Sequence, residues 1–226
     1  MTPLPNRTLE IPKPRVEVLL GWTLVLAVQG ALLAAYLTAR GLSPSFFHIA
    51  PFVWITVGLW AVWWTRPAPA SGRQRTIALS IAAGYLLVVG FVAGLFAVAP
   101  GGIGHPSSGW RFEPTYPPGY GPALFYAGDY VRLAFVPYLL VGYTAVSYLV
   151  YVTVLDASRS AAGGLFGLVA CVGCAWPILA PILTGVAGGG TALATAAYSQ
   201  EHVLSTVAFL AAIGFLTWRP LDRGDD

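Results

Sequence analysis

The sequence predicts an all-α polytopic membrane protein, a helix bundle of six transmembrane helices with N and C termini cytoplasmic. Three observations lead there. Hydrophobic residues make up 57% of the 226 residues and charged residues only 9%, against about 25% charged in a soluble domain. So few charges cannot cover a water-facing surface, and the same composition excludes intrinsic disorder. Apolar residues gather into continuous runs near the length of about 20 that crosses a bilayer as helix, without the period-two alternation of barrel strands. Basic residues are shared unevenly between the connecting segments. The chain reads as a single integral membrane domain over residues 1–226.

The first run is Val16–Thr38. It follows Arg7, Lys13 and Arg15 as the core of a signal peptide would, but it exceeds the roughly 7–15 residues of such a core. It therefore reads as an uncleaved helix. The second, Phe46–Trp64, closes on Trp60, Trp63 and Trp64 just before Arg66. Indole rings favour the headgroup level, where the N–H reaches water. The third run is Thr76–Val98.

A long outer segment, residues 99–129, follows. Its Gly and Pro content argues against regular helix. Trp110, Phe112, Tyr116, Tyr120, Phe125 and Tyr126 interleave with the breakers, so it is expected to pack down as a cap on the helices or the interface. A ligand- or partner-binding loop is the alternative. The remaining runs are Tyr130–Leu155, Ala162–Val186 and His202–Trp218. The last is the shortest, and Trp218 with Arg219 gives it an interfacial end. Residues 187–200, opening with Gly188, Gly189 and Gly190, fit an outer loop or a short re-entrant piece equally well.

Orientation follows from the basic residues, which collect on the cytoplasmic side. With the N-terminus inside, Arg7, Lys13, Arg15, Arg66, Arg73, Arg75, Arg159, Arg219 and Arg223 fall inside. Arg40, Arg111 and Arg132 fall outside. These two sets make up all 12 basic residues. The chain is expected in the plasma membrane as a multi-pass protein whose partners are the lipid bilayer and other membrane subunits. A net charge of +3 needs no nucleic acid to explain it, and no nucleotide-binding loop is present.

Ionisable residues in mid-membrane usually mark proton or ion paths. Here Glu17 and Asp156 sit at inner ends, and Asp129, Arg132 and Glu201 at outer ends. The central polar residues are the neutral Gln29, Thr56, Tyr143 and Thr144. That pattern argues against a proton-coupled transporter and gives Gln29 the role of an interhelical hydrogen-bond partner.

One local feature carries chemistry: Cys171-Val-Gly-Cys174-Ala-Trp-Pro177, with Pro181 four residues on. Two cysteines exclude a disulfide framework. At 1.5 Å per residue, Cys171 and Cys174 lie about 13 and 18 Å into their span. Residues three apart on a helix hold their Cβ atoms about 5–6 Å apart, whereas a disulfide prefers about 3.8 Å. Bonding would need a local distortion. Pro177 supplies one, since it withholds the N–H that Gly173 would accept and kinks or breaks the helix. If Pro177 opens a second half-helix, Cys174 sits at its positive end and is reactive. If the helix only kinks, the thiols are inert. Gly163, Gly167 and Cys171 form a small-residue ridge, so helix packing is the leading reading of the pair, ahead of redox or metal chemistry.

His48, His105 and His202 all fall on the outer side and are the remaining metal candidates. Paired intramembrane histidines for haem are missing. No cofactor is implied. Neither a Ser/His/Asp motif nor a zinc-protease motif is present, so enzymatic activity is not expected.

The preference for Arg over Lys in an Ala/Gly/Val-rich chain resembles uncharacterised multi-pass membrane proteins of halophilic archaea. Cys174-Ala-Trp-Pro177 is similar to the Cys-x-x-Pro element of the thiol-transferring membrane proteins of cytochrome c maturation. That resemblance implies outward shuttling of reducing equivalents through one cysteine in each of two helices. This chain has both cysteines in one predicted helix, so no catalytic role is carried over.

Three function classes follow. The first is a non-enzymatic subunit or accessory component of a membrane transport or respiratory assembly. The second is a transmembrane thiol–disulfide electron carrier using Cys171 and Cys174. The third is a small-solute or metal-ion permease.

Overall fold

The computed structural model describes residues 16–67, 69–98, 109–157 and 201–217. They form five helices and a small antiparallel sheet. Four of the helices are long and apolar enough to cross a membrane. The span predicted over Ala162–Val186 lies outside the described residues.

Residues up to Leu42 form one compact unit and residues from Ser43 onward a second. The first unit contains helix α1, Val16–Arg40. Glu17 in its first turn and Arg40 in its last complement the helix dipole. Gly41 stops it at φ +62°. The Leu42 N–H then reaches the Leu37 carbonyl at 3.0 Å and the Gly41 N–H reaches Thr38 at 3.3 Å. This paired closure satisfies the last carbonyls of the helix.

In the second unit, α2 spans Phe46–Trp64, the bounds its apolar run predicts. Pro51 lies in its second turn, where it withholds the N–H that would bond Phe47. Helix α3 spans Gly72–Val92 and opens on a reciprocal cap. Ser71 Oγ accepts from the Gln74 N–H at 3.4 Å, and Gln74 Oε1 accepts from the Ser71 N–H at 3.0 Å. Its C-terminus repeats the closure of α1: Gly94 takes φ +75°, and the Leu95 N–H reaches the Gly90 carbonyl at 2.8 Å.

The chain then enters a four-stranded sheet. Its strands are β1 (Phe96–Val98), β2 (Gly109–Glu113), β3 (Ala123–Ala127) and β4 (Val131–Phe135), in the spatial order β1-β4-β3-β2. All pairings are antiparallel, and Phe96, Leu133, Tyr126 and Trp110 lie side by side across them. The sheet corrects the all-α expectation and the reading of residues 99–129 as a loop. Two of the predicted spans shorten with it. The third ends at Val92 rather than Val98, and the fourth starts at Pro137 rather than Tyr130. The physical reason is that β1 and β4 are as apolar as the helices they adjoin. The breaks at Gly94 and Pro137 are conformational and leave no dip in hydropathy.

Helix α4, Pro137–Ala157, is the centre of the unit and packs against α2, α3 and the last helix, α5 (Glu201–Thr217). Proline suits its first turn, where an N–H would lack a helical partner. Trp54, Ala61, Val146, Leu149, Val150, Phe209, Ile213 and Leu216 make the core. The contacts set the helix directions. From α2, Trp54 meets Gly142, Gly58 meets Ala145, and Thr65 accepts from the Tyr148 hydroxyl at 3.1 Å. Phe47 likewise meets His202, and Trp54 meets Phe209 further along α5. Helices α2, α4 and α5 therefore run parallel, with their N-termini at the sheet end. Helix α3 runs opposite to them and is tied to α4 by Ser147 Oγ, which donates to the Ala82 carbonyl at 2.7 Å.

Candidate functional site

Where the helix N-termini meet the sheet, rings from four segments converge. The first turn of α2 contributes Phe47 and His48, α4 contributes Tyr138, and α5 contributes His202. The turn between β2 and β3 contributes Tyr120. Phe47 is the hub: Tyr120 stacks on it at 4.5 Å, while His202 and His48 meet it edge-on at 5.0 and 5.5 Å. Tyr120 also meets Tyr138 at 4.7 Å and His202 at 6.3 Å.

The turn is held against α2 by Gly119. Its φ is +93°, and a Cβ there would come 2.5 Å from Pro51 Cβ. The Gly119 carbonyl accepts the Tyr138 N–H at 3.1 Å, which satisfies a donor in the first turn of α4. The turn at Gly119 and Tyr120 therefore packs down on α2 and α4, whereas Trp110, Phe112 and Tyr116 of the same segment are exposed.

One layer deeper lies Trp54. It is stacked on Phe209, with Tyr138 and Tyr143 edge-on at 5.6 and 5.5 Å. Its indole N–H donates to Thr206 Oγ1 at 3.0 Å, and that hydroxyl donates to the His202 carbonyl at 2.7 Å. The chain Trp54–Thr206–His202 is thus a complete, neutral hydrogen-bond relay. Among the described residues, the buried polar side chains are Thr65, Ser147 and Thr206, and no buried one is charged. This arrangement joins three helices at one end. It offers no nucleophile with an adjacent base.

The structure brings His48 and His202 together around Phe47. His48 is also engaged by Ser45 Oγ, 2.7 Å from its Nδ1. His105 lies outside the described residues, as do Cys171, Cys174, Pro177 and Pro181. Among the described residues no group of three or more His, Cys, Asp or Glu is placed to hold a metal ion. Of the central polar residues, Tyr143 meets Trp54, whereas Thr144 is exposed. Gln29 lies in α1, in the other unit.

Sequence reasoning passed over Trp54 and Thr206. A signal was available: Trp54 sits in mid-span, away from the interfacial belts, where an indole N–H requires a partner. Nothing local identifies that partner, which stands 152 positions along the chain.

The fold and the ring cluster define a mostly helical protein that has, among the described residues, four helices long and apolar enough to cross a membrane and a small antiparallel sheet at one end of the α2–α5 bundle. The chain belongs to a family of unknown function, DUF7546, whose model matches residues 3–223. No curated protein matches the chain, and no solved structure matches it.

Proposed function

We propose that this chain is a six-span plasma-membrane protein with both termini cytoplasmic. In that reading it serves as a non-enzymatic subunit or accessory component of a membrane transport or respiratory assembly. The observation that supports this reading is the neutral layer of Trp54, Phe209, Tyr138 and Thr206, which packs α2, α4 and α5 together.

Connectivity supports the span count. Helices α4 and α5 run parallel, so the end of α4 and the start of α5 lie at opposite ends of the bundle. The apolar run Ala162–Val186 is long enough to join them as one more span. Arginine placement supports the orientation. Arg66, Arg73 and Arg75 flank the connection between α2 and α3, at the end away from the sheet. The sheet end is then outside. Helix α1 is long and apolar enough to cross a membrane, which supports the membrane reading.

The test is native mass spectrometry of the tagged protein released from its own membranes in mild detergent, with the oxidation state of Cys171 and Cys174 read in parallel. The expected result is a stoichiometric complex with a second membrane polypeptide and a cysteine pair that stays reduced. Recovery of the chain without such a partner would overturn the subunit reading. With a pair that cycles between dithiol and disulfide, the thiol–disulfide carrier would replace it. With solute or metal uptake into vesicles of the purified protein, the permease would.

A further inference from the structure

The register of the sheet sorts its side chains sharply. Residues paired directly across an antiparallel sheet share a face, and alternate residues change face. One face therefore holds Phe96, Val98, Trp110, Phe112, Leu124, Tyr126, Val131, Leu133 and Phe135. Every one is apolar or aromatic. The charged strand residues, Arg111, Glu113 and Arg132, all fall on the other face.

The apolar face is not spent on the protein core. Val98, Trp110 and Phe112 are 65%, 61% and 61% exposed, and Val131 and Phe135 are exposed as well. A contiguous apolar surface of this kind marks an interaction site. Its occupant follows from what it continues. Phe96 lies over Gly90 and 6.2 Å from Phe91, so the β1 edge of the face adjoins the end of α3. There Leu87, Val88, Phe91 and Val92 are exposed on a helix apolar enough to cross a membrane. The surface passes from the helix onto the sheet without a polar break, and one medium must cover both.

The depth is fixed by two opposing requirements. Among the described residues β1 and β2 are edge strands, and edge N–H and C=O groups are not tolerated facing hydrocarbon. An all-apolar face is equally unsuited to water. The headgroup–acyl boundary satisfies both. Trp110, 5.0 Å from Tyr126 and stacked at 6.4 Å on Phe135, is the type of aromatic group that settles there.

We infer that the apolar face of the sheet, centred on Trp110 and Phe112, lies in the outer-leaflet interface and holds the sheet against the membrane surface. The inference rests on the membrane reading of the bundle and not on the subunit role.

Its test is site-directed fluorescence in phosphatidylcholine vesicles carrying the full chain, in a Cys171→Ser, Cys174→Ser background. A polarity-sensitive dye is attached at Phe112→Cys, at Val98→Cys as a second position on the face, at Arg111→Cys on the opposite face, and at Leu79→Cys within α3. Quenching by shallow and deep spin-labelled lipids is compared with quenching by aqueous iodide. The expected result is that Phe112→Cys and Val98→Cys labels are quenched several-fold more by shallow lipid than by deep lipid or iodide. The Leu79→Cys label should answer to deeper lipid, and the Arg111→Cys label to iodide. Iodide quenching at Phe112→Cys and Val98→Cys, with Leu79→Cys still lipid-accessible, would overturn the inference and leave the membrane reading standing. Protection of both from lipid and iodide would overturn it in favour of a protein partner. Iodide quenching at Leu79→Cys would overturn the membrane reading itself.

Discussion

The indole of Trp54 lies flat on the ring of Phe209, with centroids 4.1 Å apart and planes 5° apart. The two residues belong to helices that share no sequence neighbourhood, and their stack joins α2 to α5 at the centre of the core.

Replacing Trp54 by alanine removes that stack and opens a cavity. The expected loss is about 3–5 kcal/mol, read as a lowered unfolding midpoint in detergent. Trp54→Phe keeps an aromatic ring for the stack while giving up the second ring of the indole and its N–H bond to Thr206. That bond is worth about 0.6 kcal/mol by comparison with other interhelical bonds in membranes. Equal losses for the two variants would show that the stack contributes little.

Gly142 is set against the same ring, because a Cβ there would press on Trp54 Cε3. Gly142→Ala is therefore expected to destabilise the bundle by about 1–3 kcal/mol through overpacking. Gly214, also helical, has no atom within 4 Å of an added Cβ. Gly214→Ala should be neutral or gain up to about 1 kcal/mol from helix propensity. Thermal melts of the two variants measured side by side decide the matter.

At Gly119 the strain is in the backbone as well as the space. Alanine at φ +93° costs about 1–3 kcal/mol, and its Cβ would also meet Pro51. Gly119→Ala should lift the turn without unfolding the helices. Hydrogen exchange should speed up at the Tyr138 amide, which Gly119 accepts, while amides in the middle of α4 keep their protection. Unchanged exchange at Tyr138 would contradict this account.

The cap of α3 makes a separate, local prediction. Ser71→Ala removes the hydroxyl that accepts from the Gln74 N–H, at a cost of about 1 kcal/mol. Exchange should rise over the first turn of α3 alone. Ser71→Asp should restore protection, since aspartate caps as well as serine.

Hydropathy made α2 legible to the residue, because its apolar run ends in a tryptophan cluster just before Arg66. The same method extended α3 across β1 and began the α4 span inside β4. Window-averaged hydropathy does not register a change from helix to strand when both are apolar. The period-two signal was present in Trp110-Arg111-Phe112 and in Val131-Arg132-Leu133, but each strand is only five residues long. Gly and Pro nearby led residues 99–129 to be read as loop. The ring cluster was half legible. Its histidines were singled out on the outer side, whereas Phe47, the residue that joins two of them, is unremarkable in sequence.

The pairing of Trp54 with the last helix also orders events during synthesis. Thr206 follows Trp54 by 152 residues, and at about 5–20 residues per second it emerges roughly 8–30 s later. For that interval the flat face of the indole and its N–H must wait beside an incomplete bundle. A chain that stops before α5 would keep that surface open indefinitely. The core that α2 begins is therefore finished only when Phe209 and Thr206 of α5 close over Trp54.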